Sequence, residues 1–241
     1  MDVAAQQESG PPPLLRWMRE GLEIPGLIAS PLLPPVPIPA GQGQPVMVLP
    51  GYLTTDTSSV RLRRSLGAAG YHAYGWGLGR NRGARASLLD RLGRRVDAIA
   101  QRHGEAVALV GWSLGGVFAR EIAKLQPQDV TLVMTLGSPF SGNPRDNNAW
   151  RVYELLNDHP VDNPPLPVNL AAKPPVPTIA VWSRRDGIIA PHAARGLPHE
   201  SDRRVDVDCL HLTFARAPNG IAAIGTLLAE HYAAAERGSG P

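Results

Sequence analysis

Short apolar runs alternate with amphipathic stretches through most of the chain. The apolar runs predict six strands, at residues 45–52, 70–76, 107–110, 130–139, 176–183 and 203–210. Helical spacing predicts helices at residues 57–69, 86–103, 113–125, 147–157 and 217–235, and one short helix is expected near residues 14–22. The second of these is the clearest, because apolar residues recur at three- and four-residue steps between arginines, at Leu88, Leu92, Val96 and Ile99.

This alternation predicts an α/β fold. Strands that are apolar throughout are typical of a parallel sheet buried on both faces, so we expect a mostly parallel sheet of about six strands with helices on each side. Residues 1–44 are rich in proline and form a separate N-terminal segment, which leaves residues 45–241 as the main domain. Residues 141–175 interrupt the alternation after the strand that ends near Pro139, and a connection of that length predicts a small cap or lid.

Composition narrows the classes of function. The 241 residues are 43% hydrophobic, which suits one globular domain, and the formal net charge is only +3 without a long basic block, which argues against nucleic acid as a partner. Cys209 is the only cysteine, so an internal disulfide and a cysteine-based metal site are excluded. We expect a cytoplasmic protein, because no secretory signal and no transmembrane run are evident. Residues 14–33 leave open a weak contact with a membrane surface.

The stretch Gly111-Trp112-Ser113-Leu114-Gly115 fits the pattern G-x-S-x-G. That pattern builds a nucleophile elbow, in which a serine stands on a sharp turn from strand to helix and small residues at Gly111 and Gly115 let the turn close. The pattern arises by chance in roughly one chain in eight of this composition, so its context decides. A buried strand precedes Ser113 and a helix follows it, which favours a nucleophile over an idle serine in a turn.

A serine nucleophile needs a base, and the base needs an orienting acid. Asp186 follows the strand at 176–183 and His211 follows the last strand, so both lie at carboxyl ends of strands, the edge where sites of open α/β sheets occur. We therefore expect His211 to accept the Ser113 proton and Asp186 to hold its ring. The alternatives for the acid are Asp206, Asp208 and Asp146. Less suitable histidines are His72, His192, His199 and His231. A metal site at Asp206, Asp208 and His211 lacks further ligands by sequence.

These motifs together resemble the α/β-hydrolase superfamily. The resemblance covers residues 45–235 and rests on Pro50-Gly51-Tyr52, the elbow, Leu136-Gly137-Ser138-Pro139, Asp186-Gly187 and His211. It implies a Ser113-Asp186-His211 triad and ester hydrolysis. The chain departs from the family in residues 1–44, where the first two strands of the full fold are not evident, so we expect a sheet trimmed at its N-terminal end. Phe140 stands where similar bacterial lipases often carry histidine.

The same resemblance implies an oxyanion hole formed by the N–H groups of Tyr52 and Leu114. Leu53, Trp76, Trp112 and Phe140 are the candidates for lining an acyl pocket. The alternative for Leu53, Trp76 and Trp112 is that they pack in the core.

The sequence thus predicts a serine esterase or lipase that forms an acyl-enzyme on Ser113, acts on a small-molecule or lipid ester, and needs neither cofactor nor metal. Two alternatives stay open. The same triad serves acyltransferases and thioesterases, and a non-catalytic binding protein on this scaffold would retain the same motifs.

Overall fold

A computed structural model describes residues 10–85, 87–157, 159–163 and 169–238. Its centre is one six-stranded sheet in the order β2-β1-β3-β4-β5-β6, with every neighbouring pair parallel. The strands are β1 Pro45–Leu49, β2 His72–Gly75, β3 Val107–Trp112, β4 Val130–Leu136, β5 Thr178–Trp182 and β6 Arg203–Asp206. The predicted number of strands and their direction are confirmed.

Eight α-helices surround the sheet within the described residues. They are α1 Leu14–Gly21, α2 Ile24–Ala29, α3 Val60–Ala68, α4 Leu88–His103, α5 Leu114–Leu125, α6 Trp150–Leu156, α7 Pro191–Arg195 and α8 Pro218–Gly238. Neither α2 nor α7 was expected, since both are too short for a helical period to be visible. No helix among the described residues combines the length and apolar character that crossing a membrane requires.

The two faces of the sheet bury two separate cores. Successive side chains of a strand point to opposite faces, so Val46 and Val48 of β1 pack with α3 and α8, whereas Met47 and Leu49 pack with α4 and α5. Every residue of β1, β3 and β5 is buried, as expected for strands covered on both sides. The predicted α/β architecture with helices on both faces is therefore confirmed.

Strand ends differ from the sequence prediction where the backbone turns. The strand expected at 130–139 ends at Leu136, because Gly137 takes a left-handed φ of 56°. The strand expected at 203–210 ends at Asp206, and the segment after it carries His211. Both early ends leave loops at the carboxyl edge of the sheet, which is where the candidate catalytic residues lie.

The described part of the predicted cap at 141–175 contains one helix, α6. Residue 158 and residues 164–168 of that cap, and residues 1–9 of the N-terminal segment, lie outside the described residues. The rest of the N-terminal segment contains α1 and α2 and crosses the molecule to reach β1.

Candidate active site

Ser113 stands at the junction of β3 and α5 in a strained conformation. Its φ is 53° and its ψ is −124°, a backbone region that a non-glycine residue rarely adopts. The turn can close because glycine stands two residues before Ser113 and two residues after it. A Cβ on Gly115 would lie 2.5 Å from the carbonyl oxygen of Leu49, and one on Gly111 would overlap the backbone of Gly116. Ser113 thus occupies the geometry of a nucleophile elbow.

Asp186 and His211 form a buried hydrogen-bonded pair. Nδ1 of His211 donates to Oδ2 of Asp186 at 2.7 Å, and their exposed fractions are 2% and 1%. The other carboxylate oxygen of Asp186 accepts from the N–H groups of Ile188 and Ile189, at 2.8 and 2.7 Å. These bonds fix the carboxylate, so the imidazole ring is held with Nδ1 turned toward the acid and Nε2 turned away from it.

The charge around His211 decides its protonation. Burial disfavours the imidazolium and would lower the pKa of His211, but the negative charge and hydrogen bond of Asp186, and the charge of Glu20, outweigh it and raise the pKa above its ordinary value. A histidine so placed gains a proton more readily than a free imidazole, which is the property that a general base needs.

Trp112, the residue before Ser113, contacts His211 directly. Nε1 of Trp112 donates to the carbonyl oxygen of His211 at 3.0 Å, and the two ring centroids are 5.8 Å apart. The N–H of Ser113 donates to the carbonyl oxygen of Leu136 at 2.8 Å. Ser113, Asp186 and His211 are therefore brought to one edge of the sheet, the edge that the sequence predicted for them.

Two backbone N–H groups near Ser113 have no protein acceptor among the described residues. They belong to Tyr52, in the loop after β1, and to Leu114, the first residue of α5. A Cβ built on Gly51 would lie 3.4 Å from Cβ of Ser113, which shows how closely the Tyr52 loop approaches the serine. These are the two donors that the sequence assigns to an oxyanion hole, and both remain available for a ligand.

An apolar cavity of about 100 Å³ opens beside Ser113. The helix α6 forms one wall with Trp150 and Tyr153, and the rings of Tyr153 and Tyr52 are 5.1 Å apart. Nδ2 of Asn157 donates to the Tyr52 hydroxyl at 2.8 Å, which connects the end of α6 to the loop after β1. The further lining residues include Val117, Phe118, Pro139, Ile189 and Leu170.

The four residues proposed to line an acyl pocket do not line this cavity. Trp76 and Trp112 are buried in the two sheet cores, where a full indole packs against neighbouring strands and helices. Phe140 is buried, and the guanidinium carbon of Arg120 lies 4.1 Å from the centroid of the Phe140 ring. Phe140 borders a second cavity. Leu53 has a left-handed φ of 60°, and its N–H donates to the carbonyl oxygen of Asn81. The walls come instead from α5 and α6.

The alternative acids have other partners. Asp206 and Asp208 pair with Arg184 and Arg185 at 2.7 and 3.1 Å, on an exposed surface. Asp146 pairs with Nε2 of His192 at 2.8 Å. His231, which lies in α8, forms a hydrogen bond through Nε2 with the Thr131 hydroxyl at 3.0 Å. The metal arrangement of Asp206, Asp208 and His211 is not formed, because those two carboxylates face the arginines.

Besides the cavity walls, sequence reasoning missed Glu20 of α1. Its side chain is 2% exposed and accepts hydrogen bonds from the backbone N–H groups of Gly187, His211 and Leu212. The only sequence feature that marks it is its position: a glutamate follows apolar residues in a short helix far from any other site motif.

Comparison with known proteins agrees with this architecture. Residues 85–192 match the model of the PGAP1-like alpha/beta domain family. No curated protein sequence matches the chain.

Solved structures with the same fold include lipolytic enzymes and a thioesterase. The metagenome-derived lipolytic enzymes LipS and LipT align with a TM-score of 0.59 at 14% identity, over 80% of this chain and 95% of theirs. The monoacylglycerol lipase of Paleococcus ferrophilus aligns at 0.55 and 17%, over 79% and 97%. The thioesterase domain of the curacin biosynthetic pathway aligns at 0.54 and 14%, over 80% and 93%. The sheet order, the elbow and these alignments together make the chain an α/β-hydrolase-fold protein.

Proposed function

We propose that the protein is a serine hydrolase that cleaves carboxylic esters through an acyl-enzyme on Ser113. The observation that carries the proposal is the buried hydrogen bond between His211 and Asp186, formed at the sheet edge where Ser113 occupies a strained turn. A base oriented by a carboxylate, beside a serine at the start of a helix, is the arrangement that activates a hydroxyl for attack on a carbonyl carbon.

Acylation begins when the Ser113 oxygen attacks the ester carbonyl carbon. The hydroxyl proton passes to Nε2 of His211, and the Asp186 carboxylate stabilises the imidazolium that results. The carbonyl oxygen becomes an oxyanion and receives hydrogen bonds from the N–H groups of Tyr52 and Leu114, assisted by the positive end of the α5 dipole. When the tetrahedral intermediate collapses, His211 returns the proton to the departing alkoxide, which leaves as the alcohol.

Deacylation repeats these steps with water as the nucleophile. His211 removes a proton from water, the hydroxide adds to the acyl carbon, and the Ser113 oxygen leaves with the proton that His211 gives back. The products are a carboxylic acid and the free serine. The apolar cavity beside Ser113 supports an uncharged acyl group as the part of the substrate bound there, and its volume of about 100 Å³ favours a short one.

The test is labelling with a fluorophosphonate probe together with hydrolysis of a p-nitrophenyl ester panel. The wild type should be labelled and should hydrolyse short-chain esters, whereas Ser113→Ala should do neither. Ser87→Ala is the matched control, because Ser87 is exposed and makes no cap bond at the start of α4. Persistent labelling of Ser113→Ala would refute the assignment of the nucleophile.

A parallel assay with acyl-CoA substrates separates the related chemistry. A higher kcat/KM for thioesters than for oxygen esters would make the protein a thioesterase that uses the same triad. Labelling without turnover of any ester or thioester would instead indicate a binding protein on the hydrolase scaffold.

A further inference from the structure

The helix α1 is oriented opposite to an ordinary surface helix. Leu14, Leu15 and Met18 are 70%, 67% and 65% exposed, whereas Glu20 is 2% exposed. Burial of a carboxylate is costly unless hydrogen bonds and charge compensate it, and burial of the leucines would have been favourable. The contacts of Glu20 therefore determine how α1 sits on the domain.

The Glu20 carboxylate joins two loops that are distant in sequence. Oε1 accepts from the N–H of Gly187 at 2.9 Å and from the N–H of His211 at 2.8 Å, and Oε2 accepts from the N–H of Leu212 at 3.0 Å. Gly187 directly follows Asp186. One side chain from the N-terminal segment is thus bonded to the residue next to the proposed acid and to the proposed base itself, through charge-assisted hydrogen bonds.

Close packing leaves little room for this contact to shift. A Cβ on Gly187 would lie 2.9 Å from Cγ of Glu20 and would overlap the carbonyl group of Arg16. The helix therefore rests directly on the Asp186–Gly187 turn, and glycine at 187 is what permits that approach.

We propose that Glu20 is a positioning residue for the catalytic pair, which fixes the loops of Asp186 and His211 relative to each other and directs a second negative charge toward the imidazole. The proposal rests on the proposed function, in which His211 is the base. Glu20 does not touch the reacting atoms, since its contacts are backbone N–H groups, so it acts through the two residues that it holds.

Two carboxylates of the described residues act on the charge of the His211 imidazole. Asp186 faces it from the loop after β5 and Glu20 from α1, while Trp112, Ser113 and Phe214 contribute no charge. The nearby Cys209 thiol is neutral, because burial and the surrounding carboxylates raise its pKa far above the ordinary value. Glu20 is therefore the second carboxylate that raises the pKa of His211, after Asp186.

The experiment compares Glu20→Gln with Glu23→Gln by the pH profile of ester hydrolysis. Glutamine keeps the size of the side chain but loses the charge and one acceptor, so we expect kcat to fall about 10- to 100-fold, as expected for a misplaced catalytic group. We also expect the acid limb of kcat/KM to move to lower pH, because the pKa of His211 drops. Glu23 pairs with Arg216, at the far end of the segment that carries His211, and accepts from none of the three N–H groups that Glu20 binds, so Glu23→Gln should leave both quantities near those of the wild type.

Glu20→Asp is the second variant. It keeps the charge but shortens the side chain, so the acid limb should stay near that of the wild type while kcat falls. It also carries the test if Glu20→Gln does not fold. A purely structural role would lower the melting temperature and leave kcat and the acid limb of the folded enzyme unchanged, and that result would overturn the proposal.

A second measurement separates this proposal from the proposed function. NMR titration of the His211 imidazole, assigned by its absence in His211→Gln, needs no turnover. A lower pKa of His211 in Glu20→Gln than in the wild type would support the positioning role even if no ester in the panel were hydrolysed. An identical pKa in the two proteins would overturn it, whatever the activity.

Discussion

The indole of Trp112 donates a hydrogen bond to the carbonyl oxygen of His211, 3.0 Å away. The first residue directly precedes the proposed nucleophile and the second is the proposed base, so a single side chain connects the strand of one to the loop of the other. The indole is 3% exposed, and a bond of this kind resists exchange with water. This contact sets where the imidazole lies relative to the end of β3.

Trp112→Phe removes that bond and is expected to lower kcat about tenfold, because the His211 loop loses its connection to β3. The free energy of unfolding should fall by about 1 kcal/mol for the lost bond, besides the smaller ring. The control is Trp76→Phe, since the Trp76 indole also donates to one carbonyl oxygen, that of Gly79, and is equally buried. Ester kinetics and urea unfolding measure both effects. Equal kcat values for the two variants would show that the contact has no role in positioning.

Asp186→Asn is expected to lower kcat/KM about 10³- to 10⁴-fold, because an amide neither stabilises the imidazolium nor selects the tautomer. The raised pKa of His211 predicts that the acid limb of the wild type lies above the ordinary value of 6.5, and that activity falls as the pH drops through it. In Asp186→Asn the limb should move to lower pH. Asp206→Asn, which breaks only an exposed ion pair with Arg184, should match the wild type. A wild-type limb below pH 6.5 would contradict the assigned electrostatics.

Gly115→Ala is expected to destabilise the fold by about 1–3 kcal/mol, the usual cost of overpacking. Its Cβ would lie 2.5 and 2.7 Å from the carbonyl oxygens of Leu49 and Pro50, both of which are backbone atoms that cannot rotate away. Gly67→Ala is the matched control, since Gly67 lies in α3 with open space around it and alanine there should be neutral or stabilising. Thermal melts decide the matter, and equal melting temperatures for the two variants would rule out a close-packed elbow.

Trp150→Ala is expected to extend the range of esters toward longer acyl chains, because Trp150 forms part of the cavity wall beside Ser113. The ratio of kcat/KM for p-nitrophenyl octanoate to that for the acetate should rise in this variant. Val152→Ala, on the same helix but 46% exposed and outside the wall, should keep the wild-type ratio. If both variants give one ratio, the acyl group binds elsewhere.

Features set by local chemistry were accessible from the sequence. The buried runs at β1, β3 and β5 identify strands covered on both faces, and Gly111 and Gly115 around Ser113 identify the elbow, because few other arrangements need those residues. The contact between Asp186 and His211 was expected because each residue follows the carboxyl end of a strand. Asp206 and Asp208 alternate with Val205 and Val207, a pattern that turns both aspartates to the same outer side, and both pair with exposed arginines.

Features set by long-range packing were not accessible. The sequence left Trp76 and Trp112 open between a core and a pocket, because an apolar tryptophan suits both, and the structure places them in the cores. The wall residue Tyr153 comes from α6, whose position over Ser113 depends on contacts with Tyr52 and Ala84. Glu20 and His211 are 191 residues apart in the chain, and no sequence pattern near either residue predicts their contact.

The orientation of α1 connects an exposed apolar surface to the candidate site. Its outer surface carries Leu14, Leu15 and Met18. On its inner side the Glu20 carboxylate accepts hydrogen bonds from the turn after Asp186 and from the N–H of His211. A change in the tilt of α1 would move the Glu20 carboxylate and the N–H groups of Gly187 and His211 that this carboxylate binds. Burial of the exposed face of α1 and the spacing between the proposed acid and the proposed base are thus linked through one helix.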